Sequence, residues 1–522
     1  MCPGPGRGGP ARAAAGGVLD DVPGRKTDIT DAQWLCQLME AGLLRGSFVA
    51  PKPQRQLRTL TRYRKTQIAD RQREANRLHK ALEDTGIKLD CVATDILGAS
   101  GRAMLDALVA GTTDPEILAE HVLAVDPTNA NHVIAGGIAL IATANGGASW
   151  TNVNGGPFNN GGNKIHPDHH ALAFAPGGTV WVGDDGGVYH YTPSSGAVAN
   201  ANGNLNITQF YYGFNVVGSA LLAGAQDNSS ARTTSSTLSK WTGIFTGDGG
   251  PSAITPNDTA VEFIESDENL YVTTDTFAST LMNISPPALG STGAEFTPPM
   301  IIIPNTATPS HPTVLYGLQD LYRTTNPTAA TPTWTKVTSV GSNCLFGGTC
   351  VSSIAVSPTN SSFVYVGFSN GKIEVSTNGG ISFTPLKAQT LSETYVTGIS
   401  VSPSNPKAVT VSVSYHYIRS FPGLPHVEQY VYTTSPATGT WTTITGSGLP
   451  DAVSHVIYDG SGLLASTDSG VYGTAAPAGS STSWTRIGTA LPFVQTQDLF
   501  LGPNGLYAVT HGRGAWKLNS TG

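Results

Sequence analysis

Two Asp-Gly-Gly stretches carry carboxylates that could take part in acid–base chemistry. Asp184 and Asp185 stand in Val-Gly-Asp-Asp-Gly-Gly, and Asp248 stands in Gly-Asp-Gly-Gly, with Asp227 between them in the chain. Glycoside hydrolysis requires two carboxyl groups, one as acid and one as base or nucleophile. Asp-Gly-Gly is also common in tight turns, so a purely structural role is the competing interpretation.

A second stretch, His166-Pro-Asp-His-His170, could supply ligands for a metal ion. His166, Asp168 and His170 place two imidazoles and a carboxylate within a short span, and these are ligand types that zinc accepts. The alternative is a polar loop between strands.

One pair of cysteines is close enough in sequence to form a bridge. Cys344 and Cys350 enclose a short loop that contains two glycines. We expect a disulfide between them wherever the chain meets an oxidising compartment.

Strands and tight turns must position these residues, because the chain repeats a hairpin sequence. Two octets, 143–150 and 376–383, share the order Ser/Thr-x-Asn-Gly-Gly-x-Ser-aromatic. Paired glycines permit the positive φ angles of a tight turn, and the Asn side chain can bond its own backbone. The defining positions are Thr143, Asn145, Gly147, Trp150, Ser376, Asn378, Gly380 and Phe383.

The two octets resemble Asp-boxes, the BNR repeats of sialidase-like and sortilin-like β-propellers, with Asn in place of Asp. The resemblance covers residues 121–522 and implies a mainly β fold, a β-propeller. The spacing of aromatic-Thr pairs and hairpins predicts seven to nine blades, in either a complete or an incomplete ring. The resemblance further implies a glycan- or protein-binding module; the alternative is a glycoside hydrolase of the xyloglucanase-like type. Aromatic-Thr pairs mark the blade ends, and two of their intervals are long enough to hold an extra blade. The aromatic positions are Trp150, Trp241, Trp334, Phe383, Trp441 and Trp484.

The first 120 residues differ in composition from the rest and hold 17 of the 29 Lys and Arg residues. We expect a disordered leader over residues 1–20 and helices over 21–120, one ending at Gly42 and a longer one following Pro53. The longer helix could follow nucleic-acid phosphates, or it could be a solvated coiled-coil arm. Its basic residues include Arg55, Arg58, Arg62, Arg64, Lys65, Arg71, Arg73 and Arg77.

The sequence of this part resembles DEDD-motif insertion-sequence transposases, the relatives of the Piv invertase. The matching phrases include Lys26-Thr-Asp-Ile-Thr-Asp31, Leu60-Thr-Arg-Tyr-Arg64 and Leu97-Gly-Ala-Ser-Gly-Arg102. The resemblance implies that Asp28 and Asp31 are the last two carboxylates of a Mg²⁺ site in a RuvC-like domain that performs DNA transposition. The family's first Asp and its Glu have no counterpart upstream. Propeller-like sequence also replaces the family's C-terminal domain. We therefore expect a truncated, catalytically incomplete transposase segment fused to the propeller.

Composition and charge exclude some classes of protein. The net charge of −7 gives no global nucleic-acid signature, and 12% charged residues are too few for a disordered polyelectrolyte. The sequence shows neither a secretory signal core nor a stretch that could span a membrane. We expect a cytoplasmic chain without a membrane partner, although the ancestor of the propeller was a secreted protein.

Overall fold

The computed structural model describes Trp34, residues 36–42 and most of residues 122–518. The described ranges of this second part are 122–137, 139–153, 165–287, 294–339, 349–388, 395–414, 427–450, 452–460, 462–502 and 504–518. The chain divides into two units, Met1–Leu123 and Ala124–Gly522. In the first unit, Trp34 and residues 36–40 are helical and end in a turn at Gly42, whose φ is +69°. The segment predicted to form the long basic helix lies outside the described residues, as do Asp28, Asp31 and Cys344.

The described part of the second unit is built from antiparallel sheets, eight of four strands and one of three. The first sheet comprises β1 Val122–Asp126, β2 Asn129–Gly136, β3 Leu140–Thr143 and β4 Thr151–Asn152. The second comprises β5 His169–Ala175, β6 Thr179–Asp184, β7 Gly187–Thr192 and β8 Ala197–Asn200. The third comprises β9 Asn215–Val217, β10 Ala220–Gly224, β11 Ser230–Thr233 and β12 Thr242–Gly243.

The next three sheets follow the same order along the chain. The fourth comprises β13 Gly249–Ile254, β14 Glu262–Ser266, β15 Asn269–Thr273 and β16 Met282–Asn283. The fifth comprises β17 Met300–Ile303, β18 Thr313–Gly317, β19 Asp320–Thr324 and β20 Thr335–Ser339. The sixth comprises β21 Val351–Val356, β22 Val364–Phe368, β23 Ile373–Ser376 and β24 Thr384–Pro385.

Three sheets complete the described chain. The seventh comprises β25 Tyr395–Val401, β26 Ala408–Ser414, β27 Val427–Val431 and β28 Thr440–Thr443, with a 3-10 turn at Pro436–Thr438. The eighth comprises β29 Val453–Tyr458, β30 Leu463–Thr467, β31 Gly470–Thr474 and β32 Thr485–Ile487. The ninth has three strands, β33 Thr496–Gly502, β34 Gly505–Thr510 and β35 Ala515–Leu518.

The third to ninth sheets close into a ring, which we call the sheet ring. Their first strands are neighbours in the order β9, β13, β17, β21, β25, β29 and β33, and β33 lies beside β9 again. The backbone N–H of Gly213 donates to Asp498 Oδ2 at 2.8 Å, and that of Phe210 donates to the Thr510 carbonyl at 3.0 Å. This is the radial arrangement of a β-propeller with seven blades. A central cavity is lined by residues of the fourth to ninth sheets and of the segment just before β9, among them Tyr212, Pro251, Met300, Ser353, Thr397, His455 and Asp498.

The first and second sheets lie outside the sheet ring. They share a core that includes Ile134 and Val182, while Trp181 on the opposite face of the second sheet is 45% exposed. Both faces of the third sheet are used within the ring, because Leu221 packs toward the ninth sheet and Leu222 toward the fourth. The two long intervals between aromatic-Thr pairs hold the second and fourth sheets, as predicted. The sequence did not predict that two of the nine sheets stand apart from a closed ring.

Bulges in the first strands link neighbouring sheets. The register shifts near the start of β13, β21, β25, β29 and β33. At the bulge of β21, Ser352 Oγ donates to the Val396 carbonyl of the next sheet at 2.7 Å. At the bulge of β25, Thr397 Oγ1 donates to the Val453 carbonyl at 2.7 Å. A bulge re-aims one side chain, and here that side chain bonds the adjacent sheet.

The two Asn-Gly-Gly octets form tight hairpins between the third and fourth strands of their sheets. Gly146 and Gly147 have φ angles of +66° and +89°, and the pair in the second octet is similar. Asn145 Oδ1 accepts the backbone N–H of Ser149 at 2.9 Å, and its Nδ2 donates to Ser149 Oγ at 2.8 Å. Trp150, however, is 40% exposed rather than packed between sheets.

Sequence reasoning missed a third hairpin of the same kind in the fourth sheet. Asp275 Oδ2 accepts the backbone N–H of Ser279 at 2.9 Å and its hydroxyl at 2.7 Å. These hydrogen bonds lower the pKa of Asp275. The glycine positions are held by Thr276 and Phe277, at φ +58° and +61°. Thr273 and Asp275 have the same spacing as the Thr and Asn of the first octet. The sequence still did not predict a turn here, because non-glycine residues rarely adopt positive φ.

Candidate functional site

Five carboxyl groups meet at one end of the sheets and form what we call the acidic rim. Asp185 lies in the turn between β6 and β7, and Asp227 lies in the corresponding turn between β10 and β11. Asp248 immediately precedes the first strand of the fourth sheet. In a four-stranded antiparallel blade, the turn after the second strand and the entry to the next blade lie at the same end. The members are Asp184, Asp185, Asp227, Asp248 and Glu265.

Hydrogen bonds hold the second, third and fourth sheets together at this rim. His166 Nε2 lies 2.8 Å from the Asp227 carbonyl, and Asn228 Nδ2 donates to the Asp185 carbonyl at 2.7 Å. The backbone N–H of Asp227 donates to Asp248 Oδ1 at 2.9 Å. Asp227 has a φ of +56°, a strained conformation for a residue other than glycine. The rim therefore fixes carboxyl groups from separate sheets close to one another.

Burial and the charges of neighbouring carboxylates raise the pKa values of carboxyl groups in the acidic rim. Burial raises the pKa of Asp184 to about 8, against the bond from the Gly186 N–H, and the charge of Asp185 adds to the shift. Burial, followed by the charges of Asp248 and Asp185, raises the pKa of Asp227 to about 6. Burial raises the pKa of Glu265 well above its usual value. Neighbouring carboxyl groups with separated pKa values are the arrangement that acid–base catalysis uses.

An aromatic cluster, Tyr211, Phe296 and His511, borders the acidic rim. The ring of Tyr211 lies 5.8 Å from that of Phe296, edge to face, and 6.1 Å from that of His511. His511 Nε2 lies 3.1 Å from Gln226 Oε1, and the neighbouring carboxyl of Asp248 raises the pKa of Tyr211 in addition to burial. Phe296 is 55% exposed. No spacing in the sequence singled out Tyr211 or Phe296, since the cluster joins residues far apart in the chain.

The residues considered for metal binding do not converge on one point. His170 Nε2 lies 2.6 Å from Asp185 Oδ1, whereas His166 is bonded to the Asp227 carbonyl. Among the residues that the structure describes, no group of three His, Cys, Asp or Glu side chains is placed to hold a metal ion. Cys350 is disulfide-bonded, and its predicted partner Cys344 lies outside the described ranges. Nor is any helix in those ranges long and apolar enough to cross a bilayer.

Replacing Asp184 with Asn is expected to stabilise the protein increasingly between about pH 4 and pH 8. The pKa of Asp184 rises from 3.8 to about 8 on folding. As the pH rises through this window the unfolded chain ionises first, so the free energy of unfolding of the wild type falls. Asp184 Oδ2 is buried and has no hydrogen-bond partner among the described residues. We expect a gain of about 1–3 kcal/mol at pH 8 and little at pH 4.

Urea unfolding of both proteins at several pH values measures this difference. Asp258→Asn is the matched control, because Asp258 Oδ1 accepts the N–H of Ala260 two residues on, as Asp184 Oδ1 does with Gly186. A difference between Asp184→Asn and the wild type that does not change with pH would contradict the assignment.

Comparison with known proteins gives separate matches for the two parts of the chain. Residues 17–87 match the model of a transposase family, the IS110-type DEDD transposases. No protein among the curated sequences matches the chain.

Three solved structures resemble the fold. The GH74 enzyme of Niastella koreensis is 19% identical with a TM-score of 0.45, and the match covers 75% of this chain. The GH74 xyloglucanase from Xanthomonas campestris is 14% identical with a TM-score of 0.48, over 76% of this chain. The chain spans 58% of the length of each. YCF48 from Cyanidioschyzon merolae is 10% identical with a TM-score of 0.42, over 59% of this chain and 94% of that one. The chain thus resembles a transposase over residues 17–87.

Proposed function

We propose that the sheet ring is a glycan-binding module whose ligand lies on the acidic rim against the aromatic cluster. The observation that carries this proposal is the position of Tyr211. Its ring packs against Phe296 and His511, and it is close enough to Asp248 and Asp227 for their charges, in addition to burial, to raise its pKa. Sugar rings offer apolar faces that stack on aromatic side chains, and hydroxyl groups that donate to carboxylates and amides. A few polar groups beside an aromatic surface are typical of ligand sites.

Titration calorimetry with cello-oligosaccharides and xyloglucan oligosaccharides tests the proposal. We expect Phe296→Ala to weaken the binding of any oligosaccharide that binds the wild type by about tenfold, because a stacking surface is lost. Phe493→Ala is the control, since Phe493 is 80% exposed but stacks on Arg486 in the eighth sheet. Equal loss of affinity in both variants would contradict the location of the site.

Glycoside hydrolysis is a second candidate function, favoured by the protonation of the rim. Asp227 is available as an acid beside Asp248, because burial and then the charge of Asp248 raise the pKa of Asp227 to about 6. If the rim hydrolyses the bound glycan, reducing ends should accumulate, and the rate should fall as the pH rises above about 6. Asp248→Asn is expected to reduce that rate by at least about 100-fold. Binding without release of reducing ends would leave glycan binding as the function.

The transposase-like segment contributes no site geometry to this proposal, because Asp28, Asp31 and the predicted basic helix lie outside the described residues. What supports a transposase origin is the family match over residues 17–87.

A further inference from the structure

A polar groove lies between the outer strands of the third sheet and a hairpin of the fourth sheet, and we call it the outer groove. Its volume is about 490 Å³, which is in the range of small-molecule sites. One side comes from β11, β12 and the loop between them, and the other comes from the hairpin between β15 and β16. Among the described residues, no Asp or Glu side chain lines the groove. Its lining includes Arg232, Thr234, Lys240, Thr242, Thr276 and Phe277.

Arg232 offers hydrogen-bond donors that no residue in the described part of the chain accepts. Its Nε and Nη2 atoms bond the carboxylate of Glu262, which is fully buried and holds the guanidinium in place. A guanidinium carries further N–H donors, and those on Nη1 have no acceptor among the described residues. The Arg232 side chain is 19% exposed and lines the outer groove. An oxygen acceptor in the groove would therefore complete the hydrogen bonding of a largely buried cation.

Lys240 adds a second positive charge to the outer groove. Its Nζ forms neither an ion pair nor a hydrogen bond with another described residue, and the side chain is exposed. Thr242 lies directly opposite Arg232 in the sheet, so the two side chains are on the same face. Because Glu262 offsets only one of the two cations, the groove keeps a net positive charge. Two cations beside hydroxyl groups form a site suited to an oxyanion.

The hairpin side of the outer groove is strained. Thr276 and Phe277 have φ angles of +58° and +61°, at the positions that glycine pairs occupy in the two octets. Such angles are costly for β-branched and bulky residues, and strain of this kind collects at ligand sites. Glycine would relieve the strain but would remove both side chains from the groove. The strained positions therefore point to a use for these side chains in binding.

We propose that the outer groove binds a monosaccharide unit that carries an oxyanion group, either a carboxylate or a phosphate. Arg232 and Lys240 bind the oxyanion, and Phe277 supplies an apolar surface for the sugar ring. The hydroxyl groups that line the groove, those of Thr234, Thr242 and Thr276, bond the sugar hydroxyls. This role is separate from glycan binding at the acidic rim, because the carboxylates of the rim repel an anionic sugar.

Titration calorimetry with the full chain tests the proposal with four probes: glucuronate, glucose 6-phosphate, glucose and inorganic phosphate. We expect at least one of the two anionic sugars to bind at least about tenfold more tightly than glucose or phosphate, and to bind more weakly as salt is added. Lys240→Met should weaken that binding about fivefold, because one cation is lost. Thr242→Trp fills the groove and should weaken it at least about tenfold. Thr276→Gly relieves strain, so it should weaken binding without lowering the midpoint of urea unfolding.

Thr442→Trp is the matched control, because Thr442 is exposed and follows a tryptophan in the outer strand of the seventh sheet, as Thr242 does in the third. This variant and Phe296→Ala, which alters the acidic rim, should both bind like the wild type. Equal loss in Phe296→Ala and Lys240→Met would overturn the proposal, as would the absence of binding by both anionic sugars. Phosphate that binds as tightly as glucose 6-phosphate would overturn it in favour of an adventitious ion only.

Discussion

Replacing Arg232 with Met is expected to lower the free energy of unfolding by about 3–5 kcal/mol, because it leaves a buried carboxylate without its partner. Arg232 Nε lies 3.0 Å from each oxygen of Glu262, and Nη2 lies 2.9 Å from Oε1. The Glu262 side chain is fully buried. Burial raises its pKa by more than the arginine lowers it. The pair joins β11 of the third sheet to β14 of the fourth.

Denaturant unfolding of three variants checks this expectation. The double variant Arg232→Met/Glu262→Leu removes both charges and should return to within about 1–2 kcal/mol of the wild type. Lys407→Met is the control, because Lys407 Nζ donates to the Thr433 carbonyl at an exposed position, and its loss leaves no carboxylate unpaired and should cost about 1 kcal/mol or less. A double variant as unstable as Arg232→Met would show that packing, and not the unpaired charge, sets the cost.

Replacing Asp498 with Ala is expected to cost about 3–5 kcal/mol, because three donors lose a charged acceptor at the point where the ring closes. Asp498 accepts the N–H of Gly213 at 2.8 Å and that of Leu499 at 2.7 Å, and it also bonds His455 Nδ1. These contacts connect the third, eighth and ninth sheets. The Asp498→Asn variant keeps an acceptor oxygen and should lose less.

The same substitution should change the response of stability to pH. Burial alone would lower the pKa of His455, but the charge and hydrogen bond of Asp498 raise it above its usual value. The stabilisation is therefore fully present below about pH 6.5 and is lost as the pH rises through the higher folded-state pKa. Thermal unfolding from pH 5 to 9 should show this loss in the wild type and not in Asp498→Ala. A parallel pH dependence in both proteins would contradict the role of this pair.

Local sequence patterns predicted the sheets better than their assembly. Asn145 and Asn378 predicted hairpins, because the conformation of a tight turn is set by residues that are adjacent in the sequence. Asp275 builds the same hairpin, yet Thr276 and Phe277 replaced the glycines that would have revealed it. Closure of the ring depends on Gly213 and Asp498, which lie 285 positions apart, and no local pattern encodes that pairing.

Sequence reasoning named some of the residues that lie at the acidic rim, but neither Glu265 nor the aromatic cluster, and not their arrangement. The sequence indicated Asp184, Asp185 and Asp248 as acid–base residues, and the structure brings them to one rim. Their protonation depends on burial and on neighbours in other sheets, which composition does not reveal. Nothing in the sequence selected Phe296, because a single aromatic residue outside any repeat or periodic pattern does not indicate a binding site.

The sheet ring draws its strands from one continuous part of the chain. Every wall of the ring, and every hydrogen bond described here that closes it, comes from residues after Asn200. The sheet ring is therefore specified by one uninterrupted length of sequence, so the strands that meet at Gly213 and Asp498 are the two ends of that length.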